Sequence, residues 1–170
     1  MLTLARYLEV MTLGVWLGGM VVFSFIVAPA LFQVLGSRQV AGEVVTMVLN
    51  RLYALSYICG ALYLLGVLLE QYGRGGIGHG LSGVPTGVWL EVGLVAVLLL
   101  ATFYSHYFLA QRMAGLREQM KSLFGSIDQT AHEHPLRVAF NRYHRVSVGL
   151  LSGTLAGVLV LLGLLLRRWR

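Results

Sequence analysis

VSVGLLSGTLAGVLVLLGLLL, Val146 to Leu166, runs for 21 residues without a charge. A helix needs about 20 mostly apolar residues to cross the hydrocarbon core of a bilayer. Reading outward from this stretch, three more charge-free runs appear: Val92–Gln111 with 20 residues, Leu52–Leu69 with 18 and Val10–Ser37 with 28. In lipid a spanning segment must satisfy every backbone N–H and C=O internally, which a helix does by itself. The expected fold is therefore all-α: a polytopic membrane protein built as a four-transmembrane-helix bundle. The spans fall near residues 8–34, 52–70, 88–110 and 146–166 of a 170-residue chain, which leaves no room for a separate soluble domain.

Composition agrees. Apolar residues make up 57% and charged residues 12%, where soluble domains carry about 25% charged. The net charge of +6 comes from basic residues beside the spans, where anchoring and orientation account for it better than nucleic acid does. Cys59 is the single cysteine, so no intrachain disulfide can form. Ala28-Pro29-Ala30 imitates a signal-peptidase site, but the apolar run before it is far longer than a 7–15-residue h-region. The first helix is expected to be retained.

Local signals set the boundaries. Pro29 removes a backbone donor near the end of helix one and is expected to bend it. Gly36-Ser37 breaks the chain, and Ser37 is placed to cap helix two. Val40, Val44, Met47 and Val48 recur at helical spacing before the second span begins. Met113, Leu116, Met120 and Leu123 extend helix three as an amphipathic stripe. Helix four, from about Leu136 to Leu166, would be roughly 46 Å long. Helices two, three and four are thus expected to continue beyond the bilayer on one face, while a glycine-rich loop at 74–86 lies on the other. Eight basic residues fall on the side of the 38–51 and 112–145 segments and five on the side of the termini. That asymmetry puts both termini outside a cell membrane, the inner membrane in a bacterium.

Small residues let membrane helices approach. Gly149, Gly153 and Gly157 form a doubled GxxxG on helix four, and Gly14 and Gly18 form one on helix one. These faces are expected to make close helix contacts, within one chain or between copies.

Two constellations could carry chemistry. Glu9 on helix one and Glu91, Thr102 and Ser105 on helix three form a possible polar seam, because ionisable groups inside a membrane face the bundle interior or a watery cavity. His106 and His144 lie near one membrane face on different helices, as two imidazoles holding haem b or a transition metal would. The plainer reading keeps both histidines structural and predicts no cofactor. His132 and His134 are a weak metal signal in a loop. No catalytic residue set emerges, and a metal site stays unknown.

WLGGMVVFSFIVAPALFQVLG, Trp16 to Gly36, resembles the first-helix signature of the small membrane proteins grouped with transmembrane protein 205 and its bacterial relatives. AFNRYHRVSV, Ala139 to Val148, is similar to the family's second signature, matched at Phe140, His144 and Ser147. The resemblance implies a four-helix membrane domain without a settled activity. Together these readings favour a non-catalytic membrane subunit or scaffold, with lipid and other membrane subunits or further copies as partners and no nucleic acid. The alternatives are a small transporter or channel for protons, metal ions or small solutes, and a haem- or metal-binding redox subunit.

Overall fold

The computed structural model describes residues 2–75 and 83–169. The tip of the glycine-rich loop, with His79, lies outside the described residues. Four helices are long and apolar enough to cross a membrane: α1 (Leu2–Val34), α2 (Arg38–Gly73), α3 (Thr86–Phe124) and α4 (Pro135–Arg168). No strand occurs among the described residues. Neighbours in sequence pack side by side and α4 closes on α1, so the chain forms an up-down-up-down bundle. One end gathers the two termini and the α2–α3 connection. The other gathers the α1–α2 and α3–α4 connections.

The helix ends follow from local chemistry. Ser37 caps α2 by accepting the Val40 N–H, and its own hydroxyl donates to Asp128 Oδ2 at 2.9 Å. That bond ties the α1–α2 turn to the α3–α4 loop. Gly125 ends α3 at φ +81°, a conformation that favours glycine, and its N–H returns to the Lys121 carbonyl. Pro135 opens α4 at a position where a missing N–H costs nothing. His134 caps it by accepting the Leu136 N–H on Nδ1 at 3.3 Å.

Pro29 does not break α1. The helix widens into one π turn over Phe23–Val27, where the Ala28 N–H reaches Phe23 O. This extra residue shifts the ladder just before the ring that would otherwise clash with the turn behind it. A second π turn, Ser105–Leu109, interrupts α3 with no proline to announce it.

The interior is tightest where Trp16, Met20, Tyr63, Val95, Val158 and Leu161 meet, each at most 1% exposed. Outward-facing side chains such as Phe25, Ile26, Leu100 and Val160 are apolar and more than half exposed, as suits a surface solvated by lipid.

Of the five glycines on the GxxxG faces, only Gly157 meets another helix: a Cβ there would run into the Leu98 side chain of α3. Gly14, Gly18, Gly149 and Gly153 have no atom within 4 Å of a Cβ position. A GxxxG repeat marks a face that permits close approach and does not specify what fills it. Among the described glycines, Gly66 is the one whose Cβ would meet the backbone of another helix, standing 2.7 Å from Glu9 Cγ and 3.3 Å from the Ala5 carbonyl oxygen. Gly157→Leu is expected to cost about 1–3 kcal/mol by overpacking, and Gly153→Leu to leave the thermal midpoint of the monomer unchanged. Equal losses at both positions would contradict this assignment.

Candidate functional site

Two polar regions stand out, one at each end of the bundle. The first is a buried ionic cluster at the end that holds the termini. Glu9, Glu70 and Glu91, from α1, α2 and α3, are 0%, 0% and 1% exposed. Arg168, the last residue of α4, reaches all three. It pairs with Glu9, lies 3.1 Å from Glu70 Oε2 and 3.1 Å from Glu91 Oε2. Tyr63 donates to Glu91 Oε2 at 2.7 Å. Glu70 also receives Arg6 Nε at 3.1 Å and Arg74 at 2.8 Å, both from the solvent edge. Arg6 in turn lies over the Trp169 ring at 5.5 Å.

Three carboxylates therefore meet three guanidiniums, and each helix of the bundle contributes to the cluster. Burying one such charge alone is prohibitive; pairing makes it tolerable when further hydrogen bonds satisfy the remaining lone pairs. The arrangement neutralises charge within itself and fastens the chain end to the other three helices.

The seam expected from Glu9, Glu91, Thr102 and Ser105 resolves into two separate patches. Glu9 and Glu91 belong to the cluster. Thr102 and Ser105 line a void of about 10 Å³ with Ser56 and Thr154. Buried Val95 and Leu98 separate Glu91 from Thr102 along α3. Val158, Leu161 and Leu165 separate Thr154 from Arg168 along α4. The hydroxyls of Ser56, Thr102 and Thr154 each donate to a carbonyl of their own helix, so they are satisfied locally.

The second region is a cavity of about 580 Å³ at the opposite end, a size usual for small-molecule sites. Its wall includes the π turn of α1 at Phe23, Ser24 and Phe25, together with residues of α2 and α4 and Met113 and Arg117 of α3. Arg38, Arg117, Arg137 and His144 line its polar part, and no carboxylate is among its lining residues. Phe23, Phe25, Phe32, Leu49 and Leu151 line its apolar part. Arg117 is well held: it donates to Thr46 Oγ1 at 3.3 Å and lies 5.6 Å from the Phe140 ring centroid. Gly42 leaves room for it, since a Cβ there would stand 3.0 Å from its Nη2. Arg137 is 5% exposed and donates to the Ile127 carbonyl through Nη1, while its Nε meets no partner among the described residues.

His106 and His144 occupy different surroundings. His144 lines the cavity and stacks on Phe140, with ring planes 4° apart. His106 lies in the α3 π turn among Tyr53, Tyr57 and Tyr107 and is not part of the cavity wall. His134 is occupied by its capping bond and packs edge-on to Phe124. Among the described residues no group of three His, Cys, Asp or Glu side chains is placed to share a metal ion.

Sequence reasoning found Glu9, Glu91 and His144 but missed Glu70, Arg168, Arg117 and Arg137. Glu70 lies at the end of a charge-free run and reads as an interface residue. Arg168 reads as part of a terminal anchor. The available signal was numerical: three glutamates at one membrane level call for cations nearby, and Arg6, Arg74 and Arg168 were the candidates.

Residues 11–122 match the domain of unknown function DUF4149, and the chain belongs to that family. No curated protein matches the chain, and no solved structure matches it.

Proposed function

We propose that this DUF4149 protein is a non-catalytic subunit or scaffold of a membrane assembly, and that it packs through its open glycine faces. The observation that carries this reading is the contrast between an internally paired ionic cluster and open helix faces. Inside, every buried carboxylate among the described residues is held by an arginine. Outside, Gly14 and Gly18 on α1 and Gly149 and Gly153 on α4 form small-residue faces with nothing upon them. In lipid the gain from helix association comes from close packing, and that gain is unrealised on these faces until another helix lies there. Similarity to the group around transmembrane protein 205, carried by Trp16–Gly36 and Ala139–Val148, is consistent with a four-helix domain of this kind.

A Gly149→Leu/Gly153→Leu double variant tests the reading. The expected result on native gels of mild-detergent extracts is loss of the larger species with an unchanged thermal midpoint for the monomer. An assembly of unaltered size would refute the role of this face. The partner is either another subunit or a second copy, and the mass of the lost species tells which.

The proposed orientation places both termini outside and the 112–145 segment in the cytoplasm. In a Cys59→Ser background, an impermeant maleimide added outside is expected to label Gly83→Cys and spare Ser126→Cys. Labelling of both from one side would contradict the crossing by α3 that lies between them, and with it the four-span arrangement, and labelling of Ser126→Cys alone would reverse the orientation.

The second reading, a path for protons or cations, draws on the water-sized void between Ser56, Thr102 and Thr154. It requires Arg168 to leave the cluster and the apolar side chains between the two patches to part.

A further inference from the structure

The cavity at the α1–α2 and α3–α4 end is not used by a packing role, and its chemistry is asymmetric in a way that identifies a ligand. Three arginines, Arg38, Arg117 and Arg137, line it together with His144, and no carboxylate is among its lining residues. The remaining lining is mostly aromatic and aliphatic, with Ser24, Thr46, Asn141, Ser147 and Ser152 among it, and it reaches Phe25 and Phe32, which are 70% and 46% exposed on α1. A fully water-soluble anion would leave the apolar part unfilled. A neutral apolar molecule would leave Arg137, with its unpartnered Nε at 5% exposure, facing an empty dielectric.

We propose that this cavity binds an anionic phospholipid. The phosphate lies against Arg117 and Arg137, and the upper acyl chain lies between α1 and α4 along Phe23, Phe25 and Leu151. Guanidinium groups suit phosphate because their N–H donors form a planar fork that can bind two oxygens at once. Basic pockets between transmembrane helices recognise anionic head groups on this principle. The bond to Thr46, the Phe140 ring and the space left by Gly42 fix the Arg117 side chain before any ligand arrives. Less ordering is then required on binding. The π turn at Phe23–Val27 widens α1 at the level where the acyl chain would enter from the bilayer.

The test uses the full chain in nanodiscs of equimolar phosphatidylcholine and phosphatidylglycerol, released for native mass spectrometry. The expected spectrum shows phosphatidylglycerol retained in preference to phosphatidylcholine. An Arg117→Gln variant is expected to lower that preference by about fivefold, since each basic residue near an anionic head group contributes several-fold in affinity. Arg112→Gln, an exposed cation outside the cavity wall, is expected to keep it. Ser152→Trp fills the mouth without changing charge and is expected to abolish retention, which provides a readout if the arginine variant fails to fold. Equal retention of the two lipids, an equal loss in Arg112→Gln, or full retention in Ser152→Trp would overturn the proposal. So would displacement of the lipid by inorganic phosphate alone, which would mark a head-group anion site without an acyl chain.

Discussion

Arg168→Gln is expected to destabilise the bundle by about 3–5 kcal/mol, the cost of leaving buried carboxylates without their cation. Arg168 is the guanidinium shared by Glu9, Glu70 and Glu91. Glu70 keeps Arg6 and Arg74 after the change, and Glu91 keeps Tyr63. Glu9 keeps no charged partner. The loss should therefore be repaired in large part by a second substitution, Glu9→Gln, which removes the orphaned charge. Arg167→Gln, one residue away, is expected to change little. Urea or SDS unfolding of the parent, the two single variants and the double variant forms a double-mutant cycle whose coupling energy isolates the pair. A single Arg168→Gln variant as stable as the parent would show that the cluster does not hold the chain end.

Gly66→Leu is expected to be the most damaging glycine substitution. At Gly157 and Gly60 the obstacle to a Cβ is a leucine side chain, which can change rotamer. At Gly66 it is the stem of Glu9 together with the backbone of α1, at 2.7 Å and 3.3 Å. The backbone can yield only by moving α1 away from α2, and Glu9 can yield only by leaving Arg168. The overpacking cost of about 1–3 kcal/mol is thus added to part of the charge-pair loss. Thermal unfolding in detergent should rank Gly66→Leu below Gly60→Leu and Gly157→Leu, with Gly153→Leu unaffected. A Gly66→Leu midpoint equal to that of Gly153→Leu would refute the close α1–α2 approach.

The fold was legible because the bilayer imposes a length on apolar sequence. Four charge-free runs predicted four helices, and Thr86–Phe124 and Pro135–Arg168 continue well past their runs, as the amphipathic stripe after Gln111 and the pattern around Leu136 required. The Ser37 cap was also legible, because capping depends on residues only three apart. What lies between helices was not. GxxxG periodicity located faces fit for approach, but the approach to another helix's backbone uses Gly66, which stands outside those repeats. The partner of Glu9 is 159 positions away in sequence, and no local pattern links them. The α3 π turn at Ser105–Leu109 has no proline to signal it. The cavity depends on that same kind of long-range placement: its lining joins Arg38, Arg117 and Arg137, which read separately as membrane-flanking charges, with His144, which read as a candidate ligand beside His106.

The most direct test of the proposed assembly role is photo-crosslinking from single sites in native membranes. A photoreactive residue placed at Gly149 is expected to yield a discrete protein adduct of defined mass, and one placed at Leu100, which is 67% exposed on α3, only lipid adducts. Lipid adducts alone at Gly149, matching those at Leu100, would contradict the account, because the glycine face would then be lipid-solvated in the working protein.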